Sequence, residues 1–269
     1  MTSRVLVKAA IRHNYPERVP FANLWVDWGK WGADRSEKDV EELRQLMGKV
    51  SEDIITVQYD APEGWTERAD SPEDLIMDEW GVGWTRISNR VVQHPLKEWD
   101  DVASFKWPDP DAPGRFEQAR QAINNKGDKY VLALVWFTLF ERLWFMRGME
   151  NLFLDPYLDY HHFRKCRDKL VEFNVRIIEH WLDMDVDGIF MSDDWGSQRS
   201  LLINPDEWRR LYKPCYAEMF MAIKKKPNVD IWMHSCGNVF SILGDLIDIG
   251  LDVYNPVQSQ TMDLQRLQQ

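Results

Sequence analysis

The chain has 269 residues, 44% of them hydrophobic, and a formal net charge of −11. That length suits one large domain or two small ones and allows a sizeable core. The acidic balance argues against nucleic acid or an anionic membrane surface as a general partner, while leaving room for a local basic pocket.

Three cysteines (Cys166, Cys215, Cys236) without paired spacing argue against a disulfide framework and for a reducing, cytoplasmic setting. The first residues, M-T-S-R-V-L-V-K-A-A-I-R-H-N, carry charges inside their apolar stretch and make a poor signal peptide. No apolar run approaches the ~20 residues of a membrane helix.

In chain order, residues 3–14 read as a helix and residues 21–26 as a strand, followed by a loop with Asp27, Trp28 and Trp31. Residues 39–50 read as an amphipathic helix and 53–59 as a second apolar strand. From Asp78, D-E-W-G-V-G-W-T-R-I alternates, and with V-V-Q-H it predicts a hairpin. A Pro/Asp/Trp-rich connection over 95–113 follows. Helix 116–124 then leads to strand 130–136, and E-R-L-W-F-M-R-G-M-E-N-L is helical. Residues 159–184 form a long helix with Phe163, Leu170, Phe173, Ile177, Ile178 and Trp181 at helical spacing. Strand 189–192 ends in D-D-W-G. Residues 205–225 are one helix with Asn204 as cap, followed by strand 229–233, helix 239–249 and strand 251–254.

Alternating strands and helices imply a parallel sheet, open or closed into a barrel. The strand ends that carry Asp27, Trp136, Asp193, Asp194, His234, Cys236 and Asn255 fit the active face of an α/β (β/α)8 TIM-barrel type fold. About six main strands leave such a barrel two units short, and the last residues read as the start of a helix. The expectation is a single barrel domain over residues 1–269 that belongs to a longer chain.

The sharpest chemistry lies in V-D-I-W-M-H-S-C-G-N at residues 229–238. Alternate strand residues point the same way, so His234 and Cys236 can face one point. Imidazole and thiolate suit zinc better than magnesium or calcium. Two ligands do not make a site, and a buried His and an inert Cys are the plainer reading. The fourteen tryptophans, several near strand ends or turns (Trp25, Trp28, Trp31, Trp136, Trp195), suggest an aromatic-lined pocket or a core filled with indoles.

The ordered set D-E-W-G-V-G-W, E-R-L-W-F-M-R-G-M-E-N-L, S-D-D-W-G-S-Q with L-L-I-N-P-D-E-W, H-S-C-G-N-V and L-D-V-Y-N-P-V-Q resembles the uroporphyrinogen decarboxylase superfamily. The nearest branch is that of decarboxylase-like proteins and cobalamin-dependent methyltransferases. The resemblance runs from about Arg18 to the end and implies a distorted (β/α)8 barrel. True decarboxylases of the family use no metal and hold a tetrapyrrole with arginines and an aspartate. Here the corresponding stretch, L-W-V-D-W-G-K-W-G, is aromatic and acidic. The methyltransferase branch carries a His-x-Cys zinc motif, which His234 and Cys236 match, and a further Cys near the end of its barrel. No Cys follows Cys236 here, so the third ligand is either absent or expected in the part of the barrel beyond residue 269.

The resemblance therefore implies a zinc- and cobalamin-dependent methyltransferase. It would move a methyl group between a small substrate (methoxy, methylamine or thiol type) and a corrinoid carried by a partner protein. His234 and Cys236 would bind zinc, and Asp193 and Asp194 would orient a ligand or act as acid and base. An acidic pair at a strand end equally serves to cap the next helix, and only one of the two can face the barrel mouth. Asp27, Trp25, Trp136, Trp195, Asn255 and Glu141 would line the substrate site, although Glu141 could instead pair with Arg142 or Arg147. His161 and His162 read as solvated, and His94 and Cys166 as structural. The alternatives are a metal-free decarboxylase of a carboxylated pyrrole, with Arg142, Arg147 and Arg199 as anion holders, and a non-catalytic binding module.

Overall fold

The computed structural model describes residues 1–22, 36–47, 52–63, 75–85 and 90–267. The expected strand over 21–26 falls mostly outside these residues, as do Trp25, Asp27, Trp28 and Trp31.

Helix α1 (Ser3–Ile11) starts at Thr2, whose hydroxyl accepts from the Val5 amide. Helix α2 (Glu37–Met47) precedes β1 (Ile54–Gln58). Strands β2 (Leu75–Met77), β3 (Gly83–Thr85) and β4 (Val91–Gln93) form a separate antiparallel sheet, the predicted hairpin plus one strand. Helix α3 (Glu117–Asn124) leads into β5 (Tyr130–Val135). All six residues of β5 are buried, so it reads as a continuous apolar run, as strands covered on both faces do.

The predicted helical region after β5 is two helices, α4 (Phe140–Arg147) and α5 (Met149–Leu158). Gly148 separates them with φ +82°, a conformation that side chains other than glycine rarely adopt. The long helix α6 (Tyr160–Leu182) buries Phe163, Cys166, Leu170, Phe173, Ile177, Ile178 and Trp181 along one stripe. Each such side chain contributes roughly 1.5–3 kcal/mol by leaving water. Strand β6 (Gly188–Ser192) follows.

The helix predicted over 205–225 is also two: α7 (Pro205–Leu211) and α8 (Lys213–Lys224). Pro214 is the cause, because it has no N–H to give and its ring excludes the carbonyl four residues back. Asn204 caps α7 as expected, accepting from the Asp206 amide at 2.8 Å. Strand β7 (Asp230–His234), helix α9 (Phe240–Asp248), strand β8 (Val253–Asn255) and the short helix α10 (Leu264–Leu267) complete the described chain.

The main sheet is wholly parallel, in the order β1-β5-β6-β7-β8. Strand order follows chain order without reversal, so the described sheet has no switch point of the doubly wound kind. It has the arrangement of a (β/α)8 barrel wall, and it does not close among the described residues. Parallel strands share one polarity, so all their C-terminal ends open on one face of the sheet. None of the described helices is long and apolar enough to cross a membrane.

Helix α1 packs against β1 and β5 at the opposite end, where the strands begin. Lys8 bonds Asp230 at 2.7 Å, Arg12 bonds Asp230 at 2.5 Å and Arg4 lies 2.5 Å from Asp187. Arg18 grips Asp53 through both terminal nitrogens, at 2.6 and 2.7 Å.

Candidate active site

Three side chains from two neighbouring strand ends converge at the C-terminal face. One ligand atom from each of Asp194, His234 and Cys236 lies within 4.8 Å of the others. His234 ends β7, and Cys236 follows two residues later on the same side. Cys236 Sγ is 3.5 Å from His234 Nε2, and Asp194 Oδ1 is 3.7 Å from the same nitrogen. Asp194 sits just beyond β6, whose Ser192 pairs in register with His234.

The loops that carry these groups are locked together. The Cys236 amide donates to Asp194 Oδ1 at 2.7 Å, and the Asn238 amide donates to the Ser197 carbonyl at 2.8 Å. Gly196 and Gly237 meet back to back: a Cβ on Gly196 would lie 2.5 Å from the Cys236 carbonyl oxygen. Gly237, at φ +80°, donates its amide to Gln258 Oε1 at 2.9 Å. Only glycines allow this approach.

Asn255, at the end of β8, fixes the histidine. Its Oδ1 lies 2.9 Å from His234 Nδ1. The amide oxygen can only accept, so Nδ1 carries the proton and Nε2 turns a lone pair toward Asp194 and Cys236.

The two adjacent aspartates divide as strand alternation requires. Asp193 is wholly buried and turns away from the cluster. It accepts from the amides of Leu139, Phe140 and Glu141 at 2.8, 3.0 and 2.7 Å, and from the Tyr216 hydroxyl. Asp193 therefore caps α4, the helix after the preceding strand, and is not exposed at the strand ends as the expected acid–base group would be. Burial pushes its carboxyl up to about 6 despite these donors.

Glu141, 7% exposed, stands between. Burial, then the charges of Asp193 and Asp194, push its carboxyl up to about 8. It accepts from the Asp194 amide and from Ser192 Oγ, the latter at 3.4 Å. Neither arginine once considered as its partner pairs with it: Arg142 bonds Asp78 at 3.3 Å, and Arg147 grips Asp155 at 2.8 Å through two nitrogens. Burial and the neighbouring Asp194 raise the Cys236 thiol to about 11.

The profile of the uroporphyrinogen decarboxylase (URO-D) family matches residues 80–267 of this chain. The chain belongs to the uroporphyrinogen decarboxylase family. A methyltransferase from Methanosarcina mazei is a similar solved structure, with a TM-score of 0.61 at 14% identity over 94% of this chain and 75% of its own. At that identity the likeness is one of fold. No curated protein matches the sequence.

Within this family frame the other expected site residues scatter. Trp136, just past β5, packs edge-on against Phe190 at the same face as the cluster. Trp195, expected to line the pocket, is instead wholly buried against Trp208 and Tyr216, with centroids 5.4 and 4.9 Å away. Its place two residues past Asp193 carries it into the helical layer. Asp27 and Trp25 lie outside the described residues. Of the arginines expected in a decarboxylase, Arg142 and Arg147 are committed to carboxylates, and Arg199 is exposed on the loop after β6. His162 is not simply solvated: it bonds Asp159 at 2.8 Å and stacks on Trp99. His94, bonded to the Phe145 carbonyl, and buried Cys166 are structural as expected.

An aromatic cavity does exist, formed by other rings. It encloses about 700 Å³ between the small antiparallel sheet and α4, lined by Trp84, Arg90, Val91, Phe137, Trp144 and Phe145. Trp84, Trp144 and Phe145 lie in motifs that carry the family resemblance, but no local pattern brings β3 and α4, far apart in the chain, together.

Proposed function

We propose that this chain is a zinc-dependent methyltransferase that moves a methyl group between a small substrate and a corrinoid held by a partner protein. The observation that carries the reading is the convergence of Asp194, His234 and Cys236 within 4.8 Å. Sulfur, imidazole nitrogen and carboxylate oxygen form a donor set that suits zinc, and three protein ligands leave a position open, as in catalytic zinc sites. In this reading Asp194 is the third protein ligand, which favours the methyltransferase over a non-catalytic binding module. The electrostatics also fit a cation: the cluster raises both a thiol and a carboxyl, an arrangement that a divalent ion would reverse.

Bound there, zinc would supply Lewis acidity at neutral pH without redox chemistry. The protein's own groups do the rest. Asn255 orients His234, and the Cys236 amide orients Asp194. Glu141, buried beside Ser192 and Asp194, is placed to hold or pass a proton at the site.

The test is elemental analysis of the purified, reduced protein beside His234→Ala, Cys236→Ser and Asp194→Asn, followed by the absorbance change when methylcobalamin loses its methyl group to a thiol. About one zinc per chain, lost in the first two variants and weakened in the third, with demethylation that follows zinc content, is the expected result. A protein that stays zinc-free after reconstitution sinks the reading and leaves the metal-free decarboxylase alternative.

A further inference from the structure

The aromatic cavity is unexplained by the metal cluster, yet it adjoins the same machinery. Its volume of about 700 Å³ lies within the 300–1,000 Å³ range of small-molecule sites. Its floor is a set of rings that already hold one another: Trp84 stacks on Phe137 with centroids 5.9 Å apart, and Phe145 meets Trp84 and Phe137 edge-on at 4.8 and 4.9 Å. The walls are thus fixed before any ligand arrives. Phe137 is held there at φ +51°, a left-handed conformation that a bulky aromatic residue seldom adopts.

Helix α4 joins cavity and cluster. Glu141 faces Ser192 and Asp194, and Trp144 and Phe145 stand one turn further along, about 5 Å on by helical rise. Phe137 lies beside the end of β6, where the Thr138 amide donates to the Ser192 carbonyl at 2.8 Å. The cavity is therefore next to the proposed site, at the same end of the sheet.

The charge at the rim narrows the occupant. Arg90 lines the cavity, is exposed, and makes no ion pair among the described residues, whereas Arg115, Arg142 and Arg147 are each committed to a carboxylate. One guanidinium above an aromatic box matches a ligand with one anionic group on a flat apolar body. Among the described lining residues a tetrapyrrole with many carboxylates would meet one arginine.

We infer that the cavity binds a monoanionic aromatic acid, its ring against the floor formed by Trp84, Phe137 and Phe145 and beside Trp144, and its carboxylate on Arg90. As the identity of the methyl-carrying substrate, this rests on the methyltransferase reading; as a binding site, it does not.

The probe is 4-methoxybenzoate, titrated against the whole protein by calorimetry and by tryptophan fluorescence, beside its neutral isostere 4-methoxybenzamide. The expected result is saturable binding of the acid, at least about tenfold tighter than the amide. Arg90→Gln, a surface change that leaves the fold intact, should abolish that preference. Val91→Trp, which fills the cavity, should weaken both ligands. Equal binding of acid and amide, a preference that survives Arg90→Gln, or no saturable binding up to millimolar probe would each overturn the inference. The His234→Ala variant separates the two readings: it should bind the probe as the parent does. Zinc without probe binding fails the cavity alone, and probe binding without zinc fails the metal site alone.

Discussion

The two ends of the parallel sheet carry the same kind of side chain and treat it in opposite ways. Asp53, Asp187, Asp230 and Asp252 stand at or just before the starts of β1, β6, β7 and β8, and each meets a cation: Arg18, Arg4, Lys8 with Arg12, and Lys224. At the other end Asp194 stands with His234 and Cys236, Glu141 and Asp193 lie behind it, and among the described residues no lysine or arginine pairs with these carboxylates. At the first end the neighbouring guanidinium lowers the Asp53 carboxyl well below its usual range; at the second, burial lifts Glu141 to about 8. One end is charge-balanced and holds the fold. The other has a deficit of positive charge, as a site for a cation would.

The comparison can be broken most directly at the balanced end. Asp230→Ala should cost about 3 kcal/mol in urea unfolding, because it removes the buried carboxylate that Lys8, Arg12 and the Tyr130 hydroxyl share. A loss below about 1 kcal/mol would mean that the pairing is not what holds α1 in place.

At the deficient end the corresponding change should spare stability and touch the metal. Asn255→Ala frees His234 from its orienting partner, and zinc affinity should fall about 10- to 100-fold against a competing chelator. Unchanged affinity would show that the Asn255–His234 contact is incidental.

Glu141 sharpens the contrast through pH. Its folded carboxyl is raised above the ordinary value near 4.3, so folding takes up a proton between there and about 8. The chelated protein should lose stability as pH rises through that window. Glu141→Gln should remove the loss, and so gain about 1–2 kcal/mol at pH near 9 and almost nothing near pH 4. A constant difference across pH would refute the assignment.

Asp53 gives the mirror image with the smallest effect. Its lowered carboxyl contributes stability that is complete above the ordinary value near 4 and fades as pH falls below it. Arg18 is about half exposed, so Arg18→Ala should cost no more than about 1 kcal/mol at neutral pH. The difference should shrink toward about pH 2, and its persistence there would point to lost packing instead.

Much of the fold was legible because its signals are local. The buried run of β5, the stripe of α6 and the alternation through β3 and β4 each lie within a few residues of one another. The breaks were less so: the chain around Gly148 and Pro214 reads as continuous helix when apolar spacing alone is followed. The role of Trp195 could not be read either, since strand-end position does not say whether a ring turns to the mouth or to the helical layer.

The sequence by itself made it possible for His234 and Cys236 to face one point, through a spacing of two at a strand end; β7 stops at His234, so the fold of the following loop completes the convergence. It also determined that Asp193 and Asp194 must part ways. Which of them joins the cluster was decided only by the tertiary structure. The phase of the β6 pleat turns Asp193 onto the first amides of α4 and leaves Asp194 beside the Cys236 amide. That phase is set by packing across 42 residues of chain, against partners that no local pattern names.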